Sequence, residues 1–395
     1  MINRLMQYKH TLGIIVLVSL IGLLKLGIRS HDYEAYHIFI SLLGFLQGFV
    51  ALLALLLWAI VKGHVYFGNL MFAFVLVLLL EFTCYFLLGM PVFIEKEFDT
   101  PELDADHIST HLGFVQWGDT VLTQTKMNGQ DTVYHAQYTI DSLNRRTTPG
   151  RDETKDKFAL FFGGSVAYGH GLNDDETLPY QLQQKVKGYN AYNYANSGWG
   201  PQGMLARMEW RDLSEQVSEK DGLLVYVFLW SHIRRVIGDL ITYSDWGWTM
   251  PYYTMEGGKL VRKGNFANGR FFASRFYELV YQSSIVKYFN LNFPIGTSRE
   301  HMELTAEVLT ESRKLFQETF GAERFVIIIH PGDWDFIDDD DKKLFKEILT
   351  ERGLEFYDYS DVVVLDNETS IVGDGHPNAI AYDQISDLMI RDMGL

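Results

Sequence analysis

Three long apolar stretches, 11–28, 38–61 and 65–90, fill the start of the chain, and no other feature limits its folding as strongly. At about 1.5 Å of rise per residue, a helix over any of them approaches or exceeds the roughly 30 Å hydrocarbon core of a bilayer. Residues 1–91 are therefore expected to form three transmembrane helices. Arg4 and Lys9 ahead of the first apolar core resemble a secretory signal, but no small-residue cleavage site follows and two further spans do, so this segment is expected to stay attached. A buried globular hairpin is the alternative for the second and third stretches, and their length and near absence of charge weigh against it. Arg4, Lys9 and Lys62 on one side nearly balance Lys25, Arg29 and Lys96 on the other, so basic residues alone do not set the orientation. An inside N-terminus with three crossings puts the rest of the chain outside the cytoplasm. Glu81, within the third stretch, is costly to bury in lipid and is expected to face another helix or a partner protein, unless it lies close enough to the interface to reach water.

After residue 91 the composition turns polar, and most of the formal net charge of -16 lies there. That excess of acid argues against a nucleic-acid partner, because phosphate binding needs clustered Lys and Arg. The one cysteine, Cys84, sits in an apolar run, which excludes a disulfide framework and a Cys-based zinc site. Residues 92–157 carry alternating stretches such as 132–140 and read as a small β-rich lead-in. From 158 to 395, short β-rich runs alternate with amphipathic helical ones, the pattern of an α/β domain with a doubly wound parallel sheet. Strands are expected at 158–162, 191–195, 223–229 and 325–329, with a further candidate at 362–365; helices are expected at 201–220, 302–320 and 342–352.

In such a sheet, ligands bind beyond the carboxyl ends of the strands. Gly163-Gly164-Ser165, Asn196-Ser197-Gly198 and Ser231-His232 follow the first three expected strands, and Asp374-Gly375-His376 lies near the end of the chain. A serine hydroxyl is a weak nucleophile unless a base takes its proton, and a histidine oriented by a carboxylate is the usual base. Ser165, His376 and Asp374 supply the three groups. The glycines before Ser165 permit a tight turn from strand to helix, and the helix start offers N–H groups to an oxyanion. Each element alone has a plainer reading: Gly-Gly-Ser as an ordinary turn, and Asp-Gly-His-Pro-Asn as turn formers with Pro377 opening a helix.

Together, FFGGSVAYGHGLNDDETLPYQLQ (161–183) and the C-terminal GDGHPNAIAYDQIS resemble the first and last blocks of the SGNH (GDSL-like) hydrolase superfamily. The resemblance covers roughly 158–390 and implies a three-layer, flavodoxin-like fold. It casts Ser165 as nucleophile, His376 as base and Asp374 as its orienting acid. Asn193-Tyr-Ala-Asn-Ser-Gly198 is similar to the second block, which implies that Gly198 and Ser165 donate backbone N–H groups to the oxyanion. The third block departs from the family: where Gly-x-Asn-Asp is usual, this chain has Leu229-Trp-Ser-His232-Ile-Arg-Arg235. Aligning the strands puts His232 in the asparagine's place as a third oxyanion donor, with Ser231 as the alternative and a structural histidine as the plain reading. The Asp-x-His spacing is similar to that of alginate acetyltransferase-like members.

His170 lies close to Ser165 in sequence but need not face it; His330 could line the pocket or simply cap its strand; Asp338 to Asp341 lack calcium-loop spacing and suit a helix start. The stretch 236–271, with Trp246 and Trp248, reads as a long, aromatic and irregular insertion that could be a lid or binding loop or could pack against the lead-in. The expectation is a membrane-anchored serine esterase that needs no cofactor or metal and acts on O-acyl groups of a cell-envelope glycan or glycolipid. One alternative is a glycan O-acetyltransferase that takes its acyl group from a membrane O-acyltransferase partner, with Glu81 a candidate contact. The other is a non-catalytic envelope protein that keeps the fold for binding.

Overall fold

The computed structural model describes residues 65–88, 108–321, 323–332 and 337–395. The chain divides into two compact units, Met1–Val92 with Val280–Leu291, and Phe93–Leu279 with Asn292–Leu395.

The second unit is built on a five-stranded sheet. Its strands are β3 (Lys157–Gly163), β4 (Tyr189–Asn193), β5 (Asp221–Phe228), β6 (Arg324–Ile329) and β7 (Glu355–Asp358), after an antiparallel hairpin of β1 (Thr120–Asn128) and β2 (Asp131–Ile140). All neighbours in the order β4-β3-β5-β6-β7 are parallel. The chain starts in the middle of the sheet, moves to one edge and then reverses, so the switch point lies between β3 and β5.

Alternation along the strands assigns two cores. Ala159 and Phe161 of β3, with Val225 and Val227 of β5, face α1 (Ser165–Tyr168), α2 (Leu178–Lys185) and α7 (Ala379–Met393). Phe158, Leu160 and Phe162, with Leu224, Tyr226 and Phe228, face α3 (Pro201–Trp210), α4 (Ser231–Ile237), α5 (Arg299–Phe320) and α6 (Asp339–Glu351). Each large apolar side chain buried in this way contributes roughly 1.5–3 kcal/mol. Tyr134, Ala136, Tyr138 and Ile140 of β2 belong to the first core, so the hairpin packs on the sheet's own layer. Arg146 links it to the sheet, bridging to Ile140 and to Asn193.

The four main strands fall where the sequence places them, within a few residues. The run 362–365 is not a strand. The fifth strand is β7, and the chain turns away after it: the Asp358 carboxylate accepts from Ser360 N at 3.0 Å, and Val362 and Val364 stay exposed. The helix expected over 201–220 stops at Trp210, where Arg211 is extended and Asp212 caps a separate short turn. The stretch 236–271 is not irregular. It holds helix Leu240–Asp245, the antiparallel hairpin Pro251–Glu256 with Lys259–Asn265, and helix Phe266–Gly269. Tyr243, Met250 and Phe266 bury with Leu112 of the lead-in, the packing role weighed against a lid.

In the first unit, the apolar stretches 11–28 and 38–61 lie outside the described residues. The third falls on a 24-residue helix, Val65–Leu88. Among the residues described in full, no helix is long and apolar enough to cross a membrane. Glu81 meets another helix, as its burial cost requires: its carboxylate accepts from Ser283 Oγ at 2.8 Å, Ile285 N at 3.2 Å and Ser284 N, at the start of helix Ser284–Tyr288.

Candidate active site

Strand β3 delivers Ser165 at the switch point. Gly164 is extended and caps the start of the helix, and a Cβ there would crowd Arg235 Nη1 at 2.5 Å and Trp199 O at 3.0 Å. Ser165 then opens α1, so its N–H has no acceptor within the helix. The short helix is braced from outside, since Tyr382 Oη donates to Val166 O at 2.6 Å and Asn193 Nδ2 donates to Ala167 O at 3.1 Å.

The loop before α7 brings the other two groups. Asp374 N and Gly375 N both donate to Ile371 O, and Ile371 N donates to His376 O, which closes a tight loop. Asp374 Oδ1 accepts from His376 N at 3.2 Å, and this turn over two residues lays the carboxylate beside the imidazole, which explains how Asp-x-His spacing suffices. Asn378 caps α7 by accepting from Ile380 N and Ala381 N; Pro377 stands before the helix, bridged to Ser370, not at its first position.

The result is one connected path. His376 Nε2 lies 2.9 Å from Ser165 Oγ, and His376 Nδ1 lies 2.5 Å from Asp374 Oδ1. The second oxygen, Asp374 Oδ2, accepts from Lys126 Nζ at 3.0 Å. Burial alone would raise the Asp374 carboxyl, but the hydrogen bond and charge of His376, joined by Lys126, outweigh it and hold the group well below the usual carboxylate range. Ligand atoms of His170, Asp374 and His376 come within 4.8 Å of one another, close enough for a cation. Both Asp374 oxygens and both His376 nitrogens are already hydrogen-bonded, so the cluster is accounted for as a proton path.

Gly198 sits beyond β4 with φ +81, in the left-handed region, and its carbonyl accepts from Trp246 Nε1 at 3.3 Å. Trp246 therefore walls the glycine expected to donate to an oxyanion. His232 is brought to the elbow but is wholly buried behind it, with Nε2 3.1 Å from where a Gly164 Cβ would stand. Its Nδ1 accepts from Leu229 N at 3.3 Å and lies 2.8 Å from Tyr226 Oη, so the ring proton resides on Nε2. Burial, reinforced by Arg235, pushes His232 well down and keeps it neutral.

His170 is not the partner of Ser165. Its Nε2 lies 3.0 Å from Tyr134 Oη, its ring stands 4.7 Å from that of His376, and burial followed by the His376 charge pushes it down to about 4. His330 is buried, with its backbone N donating to Phe228 O. Asp338 caps α6 by accepting from Asp341 N at 2.8 Å, the plain role for that acidic run. Sequence reasoning missed Lys126 and Arg146, and it named Trp246 only as part of an aromatic stretch, without its contact to Gly198. The Arg146 guanidinium is buried and donates to Tyr168 O, Gly169 O and Leu172 O while pairing with Asp174, which fixes the loop after α1.

No protein-family model matches the sequence, and no curated protein sequence matches it. Solved structures that are similar include a member of the lipolytic protein G-D-S-L family from Veillonella parvula DSM 2008, at 12% identity over 60% of this chain and 97% of that one, with a TM-score of 0.34. A psychrotrophic esterase from Pseudoalteromonas sp. matches at 15% identity over 60% and 96%, with a TM-score of 0.34. A carbohydrate acetylesterase from Sinorhizobium meliloti matches at 10% identity over 60% and 98%, with the same TM-score of 0.34. Likeness of this size carries no weight for the chemistry, which rests on the geometry above.

Proposed function

We propose that the chain is a serine esterase in which Ser165 Oγ attacks an acyl carbon while His376 Nε2 takes its proton. The observation that carries this reading is the unbroken path from Ser165 through His376 to Asp374, with contacts of 2.9 and 2.5 Å. Asp374 holds the imidazole with Nε2 toward the hydroxyl and stabilises the imidazolium. The N–H groups of Ser165 and Gly198 stabilise the oxyanion, and His376 then returns the proton to the leaving alkoxide oxygen. His232, neutral with its proton on Nε2, supports the elbow from behind. Water attacking the acyl-enzyme completes hydrolysis; a sugar hydroxyl attacking in its place gives O-acyl transfer with the same groups.

The favoured substrate is an O-acyl ester on a cell-envelope glycan or glycolipid, handled by an enzyme held at the membrane. The apolar stretches 11–28 and 38–61 support the anchor, as does helix Phe271–Val280, which leaves Phe272 86% and Leu279 68% exposed. A cluster of bare aromatic and aliphatic side chains is unfavourable in water and suits a lipid surface. The test is acetyl release from an O-acetylated oligosaccharide by the wild type and Ser165→Ala, with and without a second, unacetylated glycan. Release by the wild type alone supports the esterase, and acetyl moved to the second glycan identifies the transferase. Equal background in both proteins overturns both readings and leaves a binding protein.

A further inference from the structure

Strand β1 turns Leu122, Gln124 and Lys126 to the same face. Gln124 is buried there and accepts from Tyr138 Oη at 2.8 Å. The Lys126 side chain is only 12% exposed, so its ammonium, partly withdrawn from water, needs a counter-charge. The hairpin register shifts beside it: Lys126 pairs with Tyr134 and Met127 with Thr132, which leaves Val133 as an extra residue. Such a bulge re-aims side chains. Val133 here lies 3.4 Å from where a Gly373 Cβ would stand, against the loop that carries the acid, and Lys126 Nζ reaches Asp374 Oδ2 at 3.0 Å.

We infer that Lys126 is a positioning residue of the catalytic site: it clamps the Asp374 carboxylate so that Oδ1 faces His376, and it tempers the negative charge that the imidazole meets. The inference rests on the proposed serine-esterase chemistry and adds the β1–β2 hairpin to it, a segment outside the sequence resemblance. Asp374 faces the His376 ring from its own loop, Ser165 from α1, His170 from the turn after α1 and His330 from the end of β6. His170 and His330 are held neutral by burial. Arg146, felt by His170, is engaged with Asp174. An anion beside an imidazole favours its protonated form and a cation near that anion opposes this, so loss of Lys126 moves the inactivating protonation to higher pH.

The test is the rate of fluorophosphonate labelling of the detergent-solubilised full chain across roughly pH 5 to 9, for the wild type, Lys126→Met, Lys126→Gln and Lys126→Arg. Lys126→Met is expected to label about tenfold more slowly at its plateau, with the acid limb about one pH unit higher. Lys126→Arg restores both. Lys126→Gln keeps a donor to the carboxylate without the charge, so it shows the displaced limb even where the plateau recovers, and it stands in if the Met variant does not fold. A wild type that labels, with the limb unmoved in both neutral variants, overturns this inference and leaves the esterase reading standing. A wild type that does not label overturns both.

Discussion

Asp374 has two oxygens, and each is committed, one to His376 and one to Lys126. Asp374→Asn leaves an amide that can present its NH₂ to the imidazole and favour the wrong tautomer, so kcat is expected to fall on the order of 10⁴-fold with little change in KM, as steady-state kinetics on a soluble ester will read. Gly198→Ala puts a Cβ 2.8 Å from Trp246 Nε1 at a residue with φ +81. Strain of roughly 1–2 kcal/mol in the backbone and displacement of the oxyanion donor are expected to lower both the melting temperature and kcat. His170 and His330 are buried neutral, with values pushed down to about 4 and about 3, against about 6.5 in an unfolded chain. The unfolded state binds protons first, so stability present above pH 6.5 is lost as pH falls toward those folded values. Thermal melts from neutral to acid pH are expected to show a shallower loss in His330→Phe than in the wild type. Ser165 was readable from a glycine elbow and Asp374 with His376 from a turn over two residues, each a local motif, although the contact that joins the two motifs spans 211 positions. Lys126 was not legible, because its partner lies 248 positions away and only a bulge aims it. For His232, strand alignment gave the place but not the depth, which the packing of Tyr226 and Gly164 sets.

Helices and strands were readable where one chain segment decides its own state. The apolar runs of β3, β5 and β6 are covered on both faces and announce themselves. At the sheet edge, propensity misled: Val362 to Leu365 has more β-branched character than Glu355 to Asp358, yet β7 wins through its pairing with β6 and the bonds from Arg324 to Glu355. Aromatic density in 236–271 suggested an irregular insertion because its hairpin and helices bury against Leu112 and Trp199, which no local pattern reveals. One buried cation, Arg146, holds three carbonyls of the loop after α1. Arg146→Met removes donors to three carbonyls and leaves Asp174 with only the Thr139 N–H, so a loss of roughly 3–5 kcal/mol is expected in denaturant unfolding.

At the scale of the molecule, the lead-in hairpin belongs to the same compact unit as the five-stranded sheet. Tyr134, Ala136, Tyr138 and Ile140 share the core of the sheet, and β1 supplies the cation on Asp374. A chain cut to begin at 150 is expected to be insoluble or inactive, whereas one that begins at 108 keeps that core; circular dichroism and size-exclusion chromatography of the two will distinguish them. The central claim concerns three distant groups acting as one, and mass spectrometry after fluorophosphonate treatment tests it most directly. The account predicts an adduct on the peptide carrying Ser165, absent from His376→Ala and Ser165→Ala. No adduct on the folded wild type, or equal modification of Ser165 without His376, would contradict it.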